Sequence, residues 1–140
     1  MMSAVALIGV GAAAASSTTT IRSTNNANLG RILEGPARFT LYVFCPGTST
    51  RCTGHTSSTW PPEMASGRVV AATGSKINAT KLSTRKLANG KRQVTYYGQP
   101  LYLFKGDKKP GQTNGENKYQ ANGAWFVIST GGRAVPPPGY

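Results

Sequence analysis

Two places in the chain hold residues whose types and spacing suit chemistry. The first is "CPGTSTRCTGH", with Cys45, Cys52 and His55 within eleven positions. Cysteine thiolate and imidazole are zinc ligands, and a cysteine pair is also a redox couple. The spacing fits no familiar zinc pattern, and a fourth ligand is missing. An even cysteine count in a small chain reads equally as a disulfide, and Pro46-Gly47 favours a turn that brings Cys45 and Cys52 together. Both readings stay open: a Cys45–Cys52 disulfide, or a redox or metal module built on Cys45, Cys52 and His55. The second place is "YLFKGDKKPGQTNG", where Asp107 follows an aromatic-rich run. Asp107 suits a general base or a cation ligand, or a side chain that accepts N–H groups of the next turn. General acid–base work needs a second titratable group, and the other acids are only Glu34, Glu63 and Glu116. The loop lacks the Gly-x-x-x-x-Gly-Lys-Ser/Thr phosphate pattern, and no dinucleotide fingerprint occurs. The expectation is therefore no catalytic residue, no resident metal and no cofactor.

Sixteen Lys+Arg stand against four Asp+Glu, a net charge of +12. Between Lys76 and Lys109 the only acid is Asp107. Such an excess attracts polyanions over long range. Lys105, Lys108, Lys109, Lys91 and Arg92 are the candidate anion-binding residues, with anionic envelope polymers or lipid headgroups as partners. Basic residues interleaved with Arg92, Tyr96, Tyr97 and Tyr102 offer a further alternative, a sheet on which nucleic-acid bases stack.

These residues need elements to hold them. Seventeen glycines and nine prolines argue for turns over long helices. Residues 1–15 hold an apolar run ending in Ala13-Ala14-Ala15, the small-residue pattern of a cleaved secretory leader, and too short to span a bilayer. This implies a secreted or envelope location, with no transmembrane span in the mature protein, and weighs against nucleic acid as a partner. Residues 16–28, rich in Ser, Thr and Asn, read as a flexible tether. β-branched and aromatic runs predict strands at 29–33, 39–44, 68–72, 84–88, 92–97, 101–104 and 124–128, with a hairpin at Asn89-Gly90 and a helical turn in "INATKL". Residues 131–140 read as a Pro/Gly-rich tail. "FTLYVF" and "PLYLF" share Leu-Tyr-x-Phe, each followed by a long loop and a tryptophan, Trp60 and Trp125. Both faces of "LYVF" are apolar, which places it centrally and its aromatics in a core. The fold class is all-β: a small antiparallel domain over 29–130, built from two hairpin-containing repeats (29–66 and 83–130) with pseudo-twofold symmetry.

The residues Tyr102, Phe104 and Asp107, with "QVTYYGQPLYLF" and "TLYVF…WPP" around them, resemble the secreted-repeat family of predicted bacterial lipoproteins, marked by Tyr-x-aromatic-x-x-Asp. The resemblance spans about 29–128 and marks Tyr42, Phe44, Trp60, Tyr102, Phe104, Asp107 and Trp125 as motif residues. The first copy departs from the pattern: Gly47 stands where Asp107 stands in the second, and Thr56 replaces the second cysteine of the family's Cys-x-x-x-Cys loop. The resemblance implies a secreted or envelope protein without a settled biochemical activity.

Overall fold

A computed structural model describes residues 17–47, 52–120 and 122–136. Ten strands follow in chain order: β1 Thr18–Asn26, β2 Gly30–Glu34, β3 Tyr42–Pro46, β4 Arg68–Ala71, β5 Leu82–Lys86, β6 Arg92–Tyr96, β7 Gln99–Pro100, β8 Lys118–Gln120, β9 Gly123–Ile128 and β10 Ala134–Val135. A 3-10 turn, Ala79–Lys81, precedes β5 and is capped by Asn78, whose Oδ1 accepts the Thr80 N–H. The all-β expectation holds. The leader, residues 1–15, and positions 137–140 of the tail lie outside the described residues.

The strands form three sheets, ordered β2-β1-β4, β10-β9-β3 with β8 beside β9, and β5-β6-β7. All pairs are antiparallel except β1 with β4. Local chemistry sets the hairpins. At β5–β6 the Asn89 side chain accepts the Lys91 N–H, and Gly90 takes a positive φ of 84°, which glycine adopts without penalty.

The stretch read as a tether is instead β1. Its threonines and Ile21 are β-branched and alternate sides of the strand. Ile21 and Thr19 turn inward, and the Thr19 hydroxyl exchanges hydrogen bonds with Ser66. Polar composition misleads here, because threonine suits a pleated surface as well as a loop. Part of the tail is likewise ordered: Ala134–Val135 pairs with β9. The expected 101–104 strand is broken. Only Tyr102 makes bridges, to Tyr42 on one side and Pro62 on the other. The segment it faces contains Pro61 and Pro62, which donate no N–H to a ladder.

β3 divides the core. Leu41, Val43 and Cys45 enter a cluster with Ile21, Leu33, Val94, Tyr96, Leu101 and Ile128. Tyr42 and Phe44 enter the other, with Ile32, Trp60, Tyr102, Trp125 and Val127. The strand is covered on both faces. Cys45 and Cys52 form a disulfide, so neither is available as a thiolate ligand. The pairing departs from two identical repeats, since β1 has a parallel partner and β5 has none among the described residues. Some contacts are nonetheless exchanged in kind. Tyr42 faces Val127 and Tyr102 faces Pro62; Ile32 faces Ser129 and Met64 faces Gln93.

The status of β1 is testable. Ile21→Ala is expected to lower unfolding free energy in urea by about 2–5 kcal/mol, as for other fully buried aliphatic truncations. A segment outside the fold would show no change.

Candidate functional site

The seven residues that the sequence resemblance marks meet in one place. Trp60 and Trp125 stack with parallel planes, centroids 3.9 Å apart, and Trp60 stacks on Phe104 at 4.3 Å. Tyr42 meets Trp60 edge-on at 5.2 Å, and Tyr102 meets Trp125 edge-on at 5.1 Å. Phe44, Trp125 and the His55 ring pack against one another, His55 meeting Trp125 edge-on at 5.6 Å. Edge-to-face pairing of this kind is the favourable geometry for ring quadrupoles.

Asp107 closes this cluster. Its Oδ2 accepts the Tyr42 hydroxyl at 2.7 Å, and its Oδ1 accepts the Asn114 N–H at 2.9 Å. The carboxylate therefore spans the whole loop instead of capping the turn just after it. Tyr42 oxygen in turn accepts the Gly115 N–H at 3.2 Å. Glycine is required there, since a Cβ would lie 2.5 Å from Trp60 Cη2. Burial raises the Tyr42 pKa well above the usual phenol range, and the Asp107 hydrogen bond raises it further. Burial also pushes Asp107 up, opposed by the hydrogen bonds from Tyr42 and Asn114. This is a structural arrangement around a neutral phenol.

Sequence reasoning missed the environment of the other acids. Burial pushes Glu63 up to about 7, and Glu116 likewise to about 7. Glu34 is also raised by burial, opposed by Arg38 and Arg22. Glu63 lines a mostly apolar cavity of about 410 Å³ with Phe39, Leu103, Phe104 and Lys105. Glu116 Oε1 accepts the Val127 N–H, while its Oε2 is buried without a partner, as suits a neutral carboxyl. The sequence signal was partial: Glu34 ends the apolar run "IL" and Glu63 follows "WPP", while Glu116 stands in the polar stretch "TNGENK" and carries no such mark.

The candidate cations fall in two groups. Lys91 and Arg92 sit at the tip of β5–β6 with Lys86, which pairs with Arg92. Lys105, Lys108 and Lys109 lie on the loop after Phe104, where Gln112 Oε1 accepts the N–H groups of Lys108 and Lys109. Arg92 O is bound by Ala65 N and Lys105 N by Thr59 O, so the groups flank opposite ends of the 59–65 segment. Of the tyrosines named for base stacking, Tyr96 is 0% and Tyr102 2% exposed, while Tyr97 lies at the surface. His55 packs on Phe44, and no cluster of three metal-ligating side chains exists among the described residues.

Tyr42→Phe and Asp107→Asn are each expected to cost about 1–3 kcal/mol by urea unfolding, the scale for stranding a buried polar partner. The double variant should cost clearly less than the sum; full additivity would show that the two do not act as one unit. The raised carboxyls also fix the sign of the pH dependence. A carboxyl whose folded pKa exceeds its unfolded value stabilises the fold fully below about 4.5, and that stability is lost as pH rises through about 7. Urea unfolding at pH 5 should therefore exceed that at pH 8 by roughly 1–3 kcal/mol, discounted for partial exposure. Glu63→Gln should flatten the profile.

Residues 83–129 match a family described as a secreted repeat of unknown function. No curated protein and no solved structure matches the chain. No helix among the described residues is long and apolar enough to cross a membrane.

Proposed function

We propose that this chain works outside the cytoplasm as a non-catalytic domain that associates with anionic envelope polymers through its surface charge. The observation that carries this reading is the segregation of charge. All four carboxylates of the chain are buried or half-buried: Glu34, Glu63, Asp107 and Glu116. Every described lysine is exposed, and among the described arginines only Arg22 and Arg31 are half-buried. The single ion pair among the described residues is Arg38–Glu34, at 3.9 Å. The fully exposed charge among the described residues is thus positive, with no fully exposed carboxylate beside it. Such a field concentrates polyanions without a shaped pocket.

Two further points favour binding over catalysis. Asp107 is fully engaged by Tyr42 and Asn114. Glu63, the acid that faces a cavity, shares it with one other titratable side chain, Lys105. The extracytoplasmic part of the reading draws on the secreted-repeat match.

The test is retention on an immobilised glycerol-phosphate polymer over a salt series. The parent should be held at low salt and released as screening shortens the reach of charge. Lys105/Lys108/Lys109→Gln and Lys86/Lys91/Arg92→Gln should each weaken retention and make its salt dependence shallower, with thermal stability nearly unchanged. Parent protein that flows through at low salt, or variants retained as strongly as the parent, would overturn the reading.

A further inference from the structure

Tyr42 and Tyr102 exchange backbone hydrogen bonds, N to O, at 2.8 and 2.9 Å. Each phenol oxygen also accepts a backbone N–H from the loop that follows the other tyrosine, at the same spacing: Gly115 for Tyr42 at 3.2 Å, His55 for Tyr102 at 2.7 Å. There the likeness stops. Tyr42 gives its proton to Asp107. The position after Tyr42 that corresponds to Asp107 is Gly47, which has no carboxyl.

Tyr102 is 2% exposed, and both of its hydroxyl hydrogen bonds are accepted ones, from His55 N and from Arg85 Nη2 at 3.4 Å. Its own proton has no acceptor among the described residues. A buried phenol is expected to place that proton. Where the other half has a carboxylate, this half has a guanidinium. Arg85 Nε donates to Gln93 Oε1 at 2.9 Å, and the fully buried Gln93 is held in turn by Leu101 O. Arg85 is thus oriented by neutral groups and, among the described residues, has no carboxylate within ion-pair distance. A Cβ on Gly54 would lie 2.7 and 2.8 Å from its terminal nitrogens, so glycine lets the guanidinium lie against the chain. Arg85 and Tyr102 open on a cavity of about 320 Å³, walled also by Pro62, Leu87 and Asn89.

The geometry points to a binding site here for a small carboxylate borne on a compact ring. The ligand's carboxylate accepts the Tyr102 proton, as Asp107 accepts that of Tyr42, and lies against the outer nitrogens of Arg85. Charge-assisted hydrogen bonds of this type are the strong ones. Pro62 and Leu87 form an apolar wall suited to a ring face. Asn89 Oδ1 is engaged by Lys91 N–H, which leaves its amide N–H groups to a ring substituent. The volume sits at the small end of the range for small-molecule pockets. An acidic sugar and an aromatic acid present this same chemistry. The site is independent of polymer association, because it binds one carboxylate saturably at a defined position.

The experiment is calorimetric titration of the full chain with glucuronate, benzoate and glucose, near physiological salt, into the millimolar range. At least one of the two acids should bind saturably and glucose should not; which acid binds more tightly identifies the ring. Arg85→Gln and Tyr102→Phe should each weaken that binding by about tenfold or more. Circular dichroism and thermal unfolding serve as the fold check, and the exposed Arg85 makes its variant the one that must fold. Lys105/Lys108/Lys109→Gln should leave the acid's affinity unchanged while weakening polymer retention, which separates this site from the surface-charge reading. No saturable binding of either acid, equal binding of glucose, or full affinity in Arg85→Gln would overturn the site.

Discussion

The hydrogen bond from the Tyr42 hydroxyl to Asp107 is the contact on which the second half of the fold depends. Tyr42 opens β3 with no exposed surface, and a phenol buried there needs partners for its proton and its oxygen. Asp107 supplies one and Gly115 the other. Those two residues are the start and end of one loop, so a single side chain fixes where the loop leaves the core and where it returns. The second oxygen of Asp107 takes the Asn114 N–H, which leaves the carboxylate no freedom. Trp60 packs over Gly115 and against Trp125, and the aromatic cluster is sealed by the loop it helped to position.

Charge is arranged by the same scarcity of space and water. The chain has so few acids that it can place each one inward, where burial raises its pKa and favours the neutral form. Glu116 shows the consequence: one oxygen serves Val127 and the other is buried without a partner, a tolerable state for a neutral carboxyl and a costly one for an anion. With the acids withdrawn, Lys and Arg side chains face solvent with almost no local counter-charge. The single disulfide, between the buried Cys45 and Cys52, ties off the loop after β3, near the place where the first half lacks a residue equivalent to Asp107.

Much of this was legible in the sequence. Alternation and β-branching at 92–97 and 124–128 located β6 and β9, Asn89-Gly90 located a hairpin, and the two-sided apolar pattern of "LYVF" placed β3 between two core clusters. These features are local: propensity, turn chemistry and periodicity act within a few residues. The net positive charge was equally plain, because composition alone sets it. What the tertiary structure decided were the long-range pairings. Thr18–Asn26 became a strand because β2 and β4 lie on either side of it, and no property of a Ser/Thr/Asn tract announces its neighbours. Asp107 reaches across to Tyr42 and down its own loop to Asn114, distances in sequence that no turn motif encodes. Arg85, one basic residue among many, became distinct only when β5 set it beside Gln93 and beneath Tyr102. Sequence determines which groups exist and which local shapes they favour; which buried group must satisfy which other is settled only when the chain closes and excludes water.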